Sequence, residues 1–156
     1  MHVQRNNKIL SRYIPLVLWL SFIAYASSDE FSASNTSRII GPIILWLFPN
    51  TSADTLTIIH LIVRKIAHFT EYGILGSLAV RAFKNSPGPN ISRYWFLLSL
   101  SIVVLYALID EYHQSFVPSR SASIYDSFID MTGGLTVILF LRFWYRERQP
   151  SSISTI

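Results

Sequence analysis

Asp110-Glu111-Tyr112-His113-Gln114-Ser115-Phe116-Val117-Pro118-Ser119-Arg120 follows without a break on the apolar run Tyr94 to Ile109. The run is hydrophobic enough to cross a bilayer, and charge is costly at such depth unless it is paired, hydrated or used. The stretch is therefore read as the end of a transmembrane helix that carries a functional site. Pro118 lacks an amide donor and clashes with the preceding turn, so the helix is expected to stop at Val117. On that helix Tyr106, Asp110, His113, Gln114 and Val117 share a face, with Glu111 off to one side.

Two other apolar runs repeat the pattern. Thr55 to Phe83 contains Arg64, Lys65, His68 and Glu71, and Ile124 to Trp144 contains Asp126 and Asp130. Lys65 precedes Arg81 by about 16 residues, Asp110 follows Arg93 by about 17, and Asp126 precedes Arg142 by about 16, each roughly 24 Å of helix. Measured from these basic anchors, three spans bring a charge to one level in the outer half of the hydrocarbon. His68 and Asp130 are expected a turn deeper, and Glu71 deeper still. Arg64, Lys65, His68, Glu71 and Tyr72 occupy one arc of their helix, and Asp126, Asp130, Gly133 and Val137 form a facing stripe. Gly133-Gly134 suits close helix approach.

The composition agrees with lipid as the solvent. Of 156 residues 51% are hydrophobic and only 14% charged, against about 25% charged in soluble domains. One all-α membrane bundle of about four transmembrane helices is what such a chain can build. The expected division is a basic cytoplasmic tail over residues 1–12, a transmembrane domain over 13–145, and a disordered cytoplasmic tail over 146–156. Within the domain the spans fall at 13–28, 56–83, 94–117 and 124–144. Residues 38–49, interrupted by Gly41-Pro42, are too short to span and read as interfacial or re-entrant.

Arg5, Lys8 and Arg12, then Arg81, Lys84 and Arg93, then Arg142, Arg146 and Arg148 alternate with poorer connections. That order puts both termini in the cytoplasm of a multi-pass plasma-membrane protein. The first apolar run, Tyr13 to Ala26 with Ala24-Tyr25-Ala26 at its end, also fits a secretory signal with its cleavage site. The formal net charge of +4 is explained by this topology, with no motif for nucleic acid. Cysteine is absent, which excludes disulfides, thiolate catalysis and cysteine metal sites.

The residues at the charged level form a pocket expected to open to the extracytoplasmic side. Arg64, Lys65 and Arg120 stand there against Glu71, Asp110, Glu111, Asp126 and Asp130, with Tyr72 and Gln114 as hydrogen-bonding groups. His68, His113 and Asp110 are the candidates for catalysis: imidazole titrates near neutrality, and a carboxylate such as Asp110, Asp126 or Glu71 fixes its tautomer. The same groups could ligate a divalent metal, but ligands from three helices without a local spacing motif lead us to assign none. The sequence does not identify a cofactor. No nucleophile elbow or Walker-type loop occurs.

Lys65-Ile-Ala-His68-Phe-Thr-Glu71-Tyr72, then Asp110-Glu111-Tyr-His113-Gln114-Ser-Phe116-Val-Pro118-Ser-Arg120, then Asp126-Ser-Phe-Ile-Asp130-Met-Thr-Gly133, with Ser27-Ser28 after the first span, resemble the VanZ-like family of small bacterial membrane proteins. The resemblance covers most of residues 10–144. It departs at Asp130, where the family pattern usually has Asn. The resemblance implies a cell-envelope membrane protein whose namesake accompanies glycopeptide resistance clusters and is linked to teicoplanin resistance, without supplying a reaction.

Two functions compete. One is a pocket that binds or processes an anionic or lipid-linked envelope substrate from the outer leaflet, with membrane lipids as surroundings. The other is a non-catalytic accessory or interaction protein whose buried ion pairs are structural. A proton-linked transporter fits less well, since no inverted repeat is evident.

Overall fold

Helix is the only secondary structure among the described residues, which in this computed structural model are 2–28, 33–118 and 123–148, without the side chains of 2–9 and 33–35. The chain runs α1 (His2–Ala26), α2 (Ala33–Leu47), α3 (Ala53–Lys84), α4 (Pro89–Arg93), α5 (Trp95–Gln114) and α6 (Ile124–Glu147). Ser52 caps α3 by accepting from the Thr55 amide, and Ser123 caps α6 by accepting from Tyr125. Both serines satisfy a helix-end donor that would otherwise be unpaired.

The bundle is built around α3, which packs most extensively on α6, then on α5, α1 and α2. Tyr72, Leu75, Ala79, Val80 and Ala82 of α3 meet Val103 and Ala107 of α5 and Ile138 of α6 in the core, with Leu16 and Ile23 of α1. Glycines set the α3–α6 distance. A Cβ on Gly133 would lie 2.2 Å from the Phe69 carbonyl oxygen, and one on Gly76 2.8 Å from the Gly134 oxygen. Small residues thus let the two backbones touch. Helix α1 runs antiparallel to α3, tied by Tyr13 Oη to Ser86 Oγ at 3.2 Å and by Trp19 Nε1 to the Glu71 carbonyl at 3.0 Å.

The exterior is apolar and part of the interior is polar. Leu18, Leu61, Leu97, Leu105, Ile109, Phe140 and Phe143 are exposed, whereas Asp110, Glu111, Gln114, Ser127 and Asp130 are buried. Water would reverse this distribution; lipid stabilises it. Helices α5 and α6 are long and apolar enough to cross a membrane. The apolar parts of α1 and α2, Leu10–Ala26 and Thr36–Leu47, are shorter. Helix α3 interrupts its own apolar surface with Arg64, Lys65, His68 and Glu71.

Two local expectations differ from the structure. Helix α5 ends at Gln114, not Val117: Phe116 and Val117 donate to carbonyls three residues back, those of His113 and Gln114. Pro118 disfavours α-helical backbone in the residue before it, so the last turn tightens. Helix α2 runs unbroken through Gly41-Pro42. Pro42 is exposed, so its ring faces away from the bundle, and Gly41 is buried toward His60 of α3.

Candidate functional site

Three helices converge on one buried cluster. From α3, His68 directs Nδ1 to Asp130 Oδ1 of α6 at 3.2 Å. From α5, Asp110 lies close enough that one ligand atom from each of His68, Asp110 and Asp130 falls within 4.8 Å of the others. Asp110 accepts through Oδ1 from Ser27 Oγ, in the turn that follows α1, and through Oδ2 from Gln114 Nε2 at 3.0 Å. Tyr72, fully buried, brings its hydroxyl to the same neighbourhood. Carboxylates so deep in the bundle persist because donors satisfy them.

One turn toward the start of α3, Lys65 Nζ meets Asp126 Oδ1 of α6 at 2.8 Å. Helices α3 and α6 are thus joined by two successive polar pairs, Lys65–Asp126 and His68–Asp130. The i, i+3 and i, i+4 spacings that put each pair on one face are local; the close glycine contact between the helices lets the faces meet.

Arg64 borders this cluster from the side of a cleft. Its guanidinium reaches Gln114 Oε1 at 3.5 Å, and among the described residues it makes no ion pair. It lines a cleft of about 630 Å³ between α1, α2 and α3, together with His68, Glu71 and His60. The remaining walls include Trp19, Phe22, Ile40, Leu61 and Ile74, so the cleft is largely apolar with charge gathered at one side. A smaller recess of about 60 Å³ joins Arg64, Lys65, His68 and Asp126.

The structure brings His68, Asp110, Asp130, Tyr72 and Gln114 together, with Lys65 and Asp126 beside them and Arg64 and Glu71 at the cleft. It leaves His113 outside: the ring is exposed, while Asp110, Glu111 and Gln114 are buried. The inward arc of α5 passes through Val103, Ala107, Asp110, Glu111 and Gln114, and at 100° per residue it excludes His113. Glu111, expected off to one side, turns inward and accepts from the Ser123 amide at the start of α6. Arg120 lies outside the described residues.

The carboxylate on His68 is Asp130, not Asp110, Asp126 or Glu71. His60 and the α1 wall went unread in the sequence, although His60, Arg64, His68 and Glu71 recur at four, four and three residues. That stripe was the available signal for His60. For Trp19 and Phe22 no signal existed, since their place depends on how α1 docks.

Chemically, a nitrogen and two carboxylates from separate helices form a set that suits a divalent cation such as zinc or manganese. They equally form a histidine whose tautomer is set by an acid. Ser27, itself buried, supports this arrangement from the turn after α1. Ser27→Ala removes a donor from a buried carboxylate, and thermal unfolding in detergent should show a loss of about 1–3 kcal/mol. Equal stability would mean Asp110 draws no support from the turn after α1.

A family model described as VanZ/LLP1 matches residues 13–145. No curated protein and no solved structure matches the chain. With the charged faces of α3, α5 and α6 inside a bundle of apolar exterior, and the match extending from α1 to the end of α6, this membrane protein belongs to the VanZ/LLP1 family.

Proposed function

We propose that the protein is a cell-envelope protein that binds an anionic, lipid-linked substrate in the α1–α2–α3 cleft and moves a proton on it through His68. The observation that carries this reading is that Arg64 and His68, with His60 and Glu71, stand on the α3 side of a cleft whose exposed wall is otherwise largely apolar. An amphiphile carries the same two chemistries. Its phosphate or carboxylate would be held by Arg64, with Lys65 nearby, while its chain lies against Phe22, Ile40 and Ile74. With Nδ1–H donated to Asp130, His68 Nε2 is the nitrogen that can accept a proton. Asp130 orients the ring, and Asp110 with Ser27 and Gln114 keeps the surrounding shell in place.

The basic anchors support a multi-pass topology with both termini cytoplasmic, so that this cleft opens toward the outer leaflet. A role in glycopeptide resistance of the teicoplanin type, which the family resemblance implies, is compatible with a pocket that opens toward the outer leaflet.

Arg64→Gln provides the test of binding. In purified protein reconstituted with a polyprenyl phosphate, the variant should bind about tenfold more weakly or worse, the worth of one charge-assisted contact. Unchanged binding sinks the proposal. A second reading rests on Lys65–Asp126 and His68–Asp130, which bridge α3 and α6 directly: the polar pairs then serve helix registry in a non-catalytic accessory protein. In that case the variants of these four residues change stability or complex formation and no lipid chemistry.

A further inference from the structure

The opposite end of the bundle carries a second recess. Lys84 at the end of α3, Arg93 before α5, and Arg142 and Arg146 near the end of α6 line a cavity of about 290 Å³. Lys84 lies about 19 residues beyond Lys65 along α3 and Arg142 about 16 beyond Asp126 along α6, roughly 24–28 Å of helix, and the recess shares no residue with the α1–α2–α3 cleft. Its charge is all of one sign. No Asp or Glu occurs between Tyr72 and Ile109 or between Met131 and Arg146. Glu147, the nearest acid in sequence, is exposed, and among the described residues none of the four cations makes an ion pair.

The cations are held in place by aromatic rings rather than by acids. Lys84 Nζ sits 4.0 Å from the Tyr145 ring centre, and Arg142 Cζ sits 4.4 Å from that of Phe96. Such contacts position a cation without neutralising it. Four cations converging from three parts of the chain repel one another, and an anion between them removes that cost. Trp95 adds an aromatic wall of the type found at membrane interfaces.

We propose that this recess binds the phosphodiester headgroup of an anionic phospholipid from the leaflet at that end of the bundle. A soluble phosphate would use only the cations. A phospholipid also uses the apolar surface next to them, where Leu97, Phe140 and Phe143 are exposed and offer its acyl chains a bed. The charge pattern that places this end in the cytoplasm makes the occupant an inner-leaflet lipid.

The full chain is purified in a neutral detergent, and thermal unfolding and retained lipid by native mass spectrometry are measured with phosphatidylglycerol, phosphatidylcholine or inorganic phosphate. Phosphatidylglycerol should be retained and should raise the unfolding temperature, with no comparable effect of the other two. In Arg142→Gln/Arg146→Gln its apparent affinity should fall about thirtyfold, two basic side chains each contributing about fivefold. Arg142→Lys/Arg146→Lys should keep most of the affinity, as should Arg81→Gln/Arg148→Gln, which removes two exposed charges from the same end that do not line the recess. Equal stabilisation by phosphatidylcholine overturns the proposal, as does an equal shift with inorganic phosphate, which would make the recess a soluble-anion site. An equal loss in Arg81→Gln/Arg148→Gln also overturns it, by showing diffuse attraction to charge. If the glutamine variant does not fold, the lysine variant and the comparison of the three ligand conditions still decide.

Discussion

His68→Asn is expected to abolish proton transfer on a lipid-linked anion while leaving the bundle folded and the substrate bound. The amide nitrogen of Asn can occupy the place of imidazole Nδ1 and keep the hydrogen bond to Asp130, which in the native protein is 3.2 Å long. What disappears is Nε2, the nitrogen proposed to accept the proton. General acid–base groups contribute about 10²–10⁴-fold to rate, so turnover in reconstituted vesicles should fall by that factor with little change in apparent affinity. Asp130→Asn should act in the same direction through the ring's tautomer. Asn keeps the shape of Asp, but it can present its amide N–H to Nδ1 and reverse the donor and acceptor roles. Arg64→Gln should give the complementary result, weaker binding with a smaller effect on turnover of bound substrate. If His68→Asn and Arg64→Gln leave both quantities at the native level and only Lys65 and Asp126 variants lower stability, the polar groups are registry pairs and the catalytic reading is lost.

The second large effect concerns stability. Gly133→Ala would place its methyl group 2.2 Å from the Phe69 carbonyl oxygen and 2.9 Å from its carbon. Both are backbone atoms of the central helix, so no rotamer change relieves the contact. Helices α3 and α6 must separate, which also lengthens His68–Asp130 and Lys65–Asp126. Overpacking costs about 1–3 kcal/mol, occasionally more, and this position belongs at the upper end. Gly134→Ala differs in kind, since its methyl meets Val103 Cγ1 at 2.5 Å, a side chain that can be shortened. Gly134→Ala/Val103→Ala should therefore be less destabilised than the sum of the single changes, whereas no single side-chain reduction rescues Gly133→Ala. Gly73→Ala, at 3.3 Å from Val137 Cγ2, should be the mildest of the three. Unfolding of each purified variant in a detergent series measures the order, and a reversed order would mean that α3 and α6 do not meet through Gly133.

Asp110 shows how far local reasoning reached. Its place at the end of an apolar run marked it as a buried, functional charge, and it is buried. His113, three residues on, shared its expected face yet is exposed. Three residues on a helix differ by about 60° in direction, enough for one side chain to enter a packed bundle and the other to leave it. Glu111 shows the same sensitivity with the opposite outcome. The facing stripes of α3 and α6 were legible because both follow the helical period and both count to one depth from basic anchors. Which acid met which base was not.

Sequence alone determined the helical class, the lipid-like surroundings, and the level along α3 and α6 at which charge accumulates. These follow from chain length, apolar content and a rise per residue that is the same in any helix. Tertiary structure decided that His68 meets Asp130, that Ser27 supports Asp110, and that Arg64 and His60 face a cleft closed by α1 and α2. Those pairings depend on the rotation of each helix about its own axis and on which neighbours it touches. Both are fixed by contacts between distant residues, above all where Gly133 and Gly134 let α6 lie against α3.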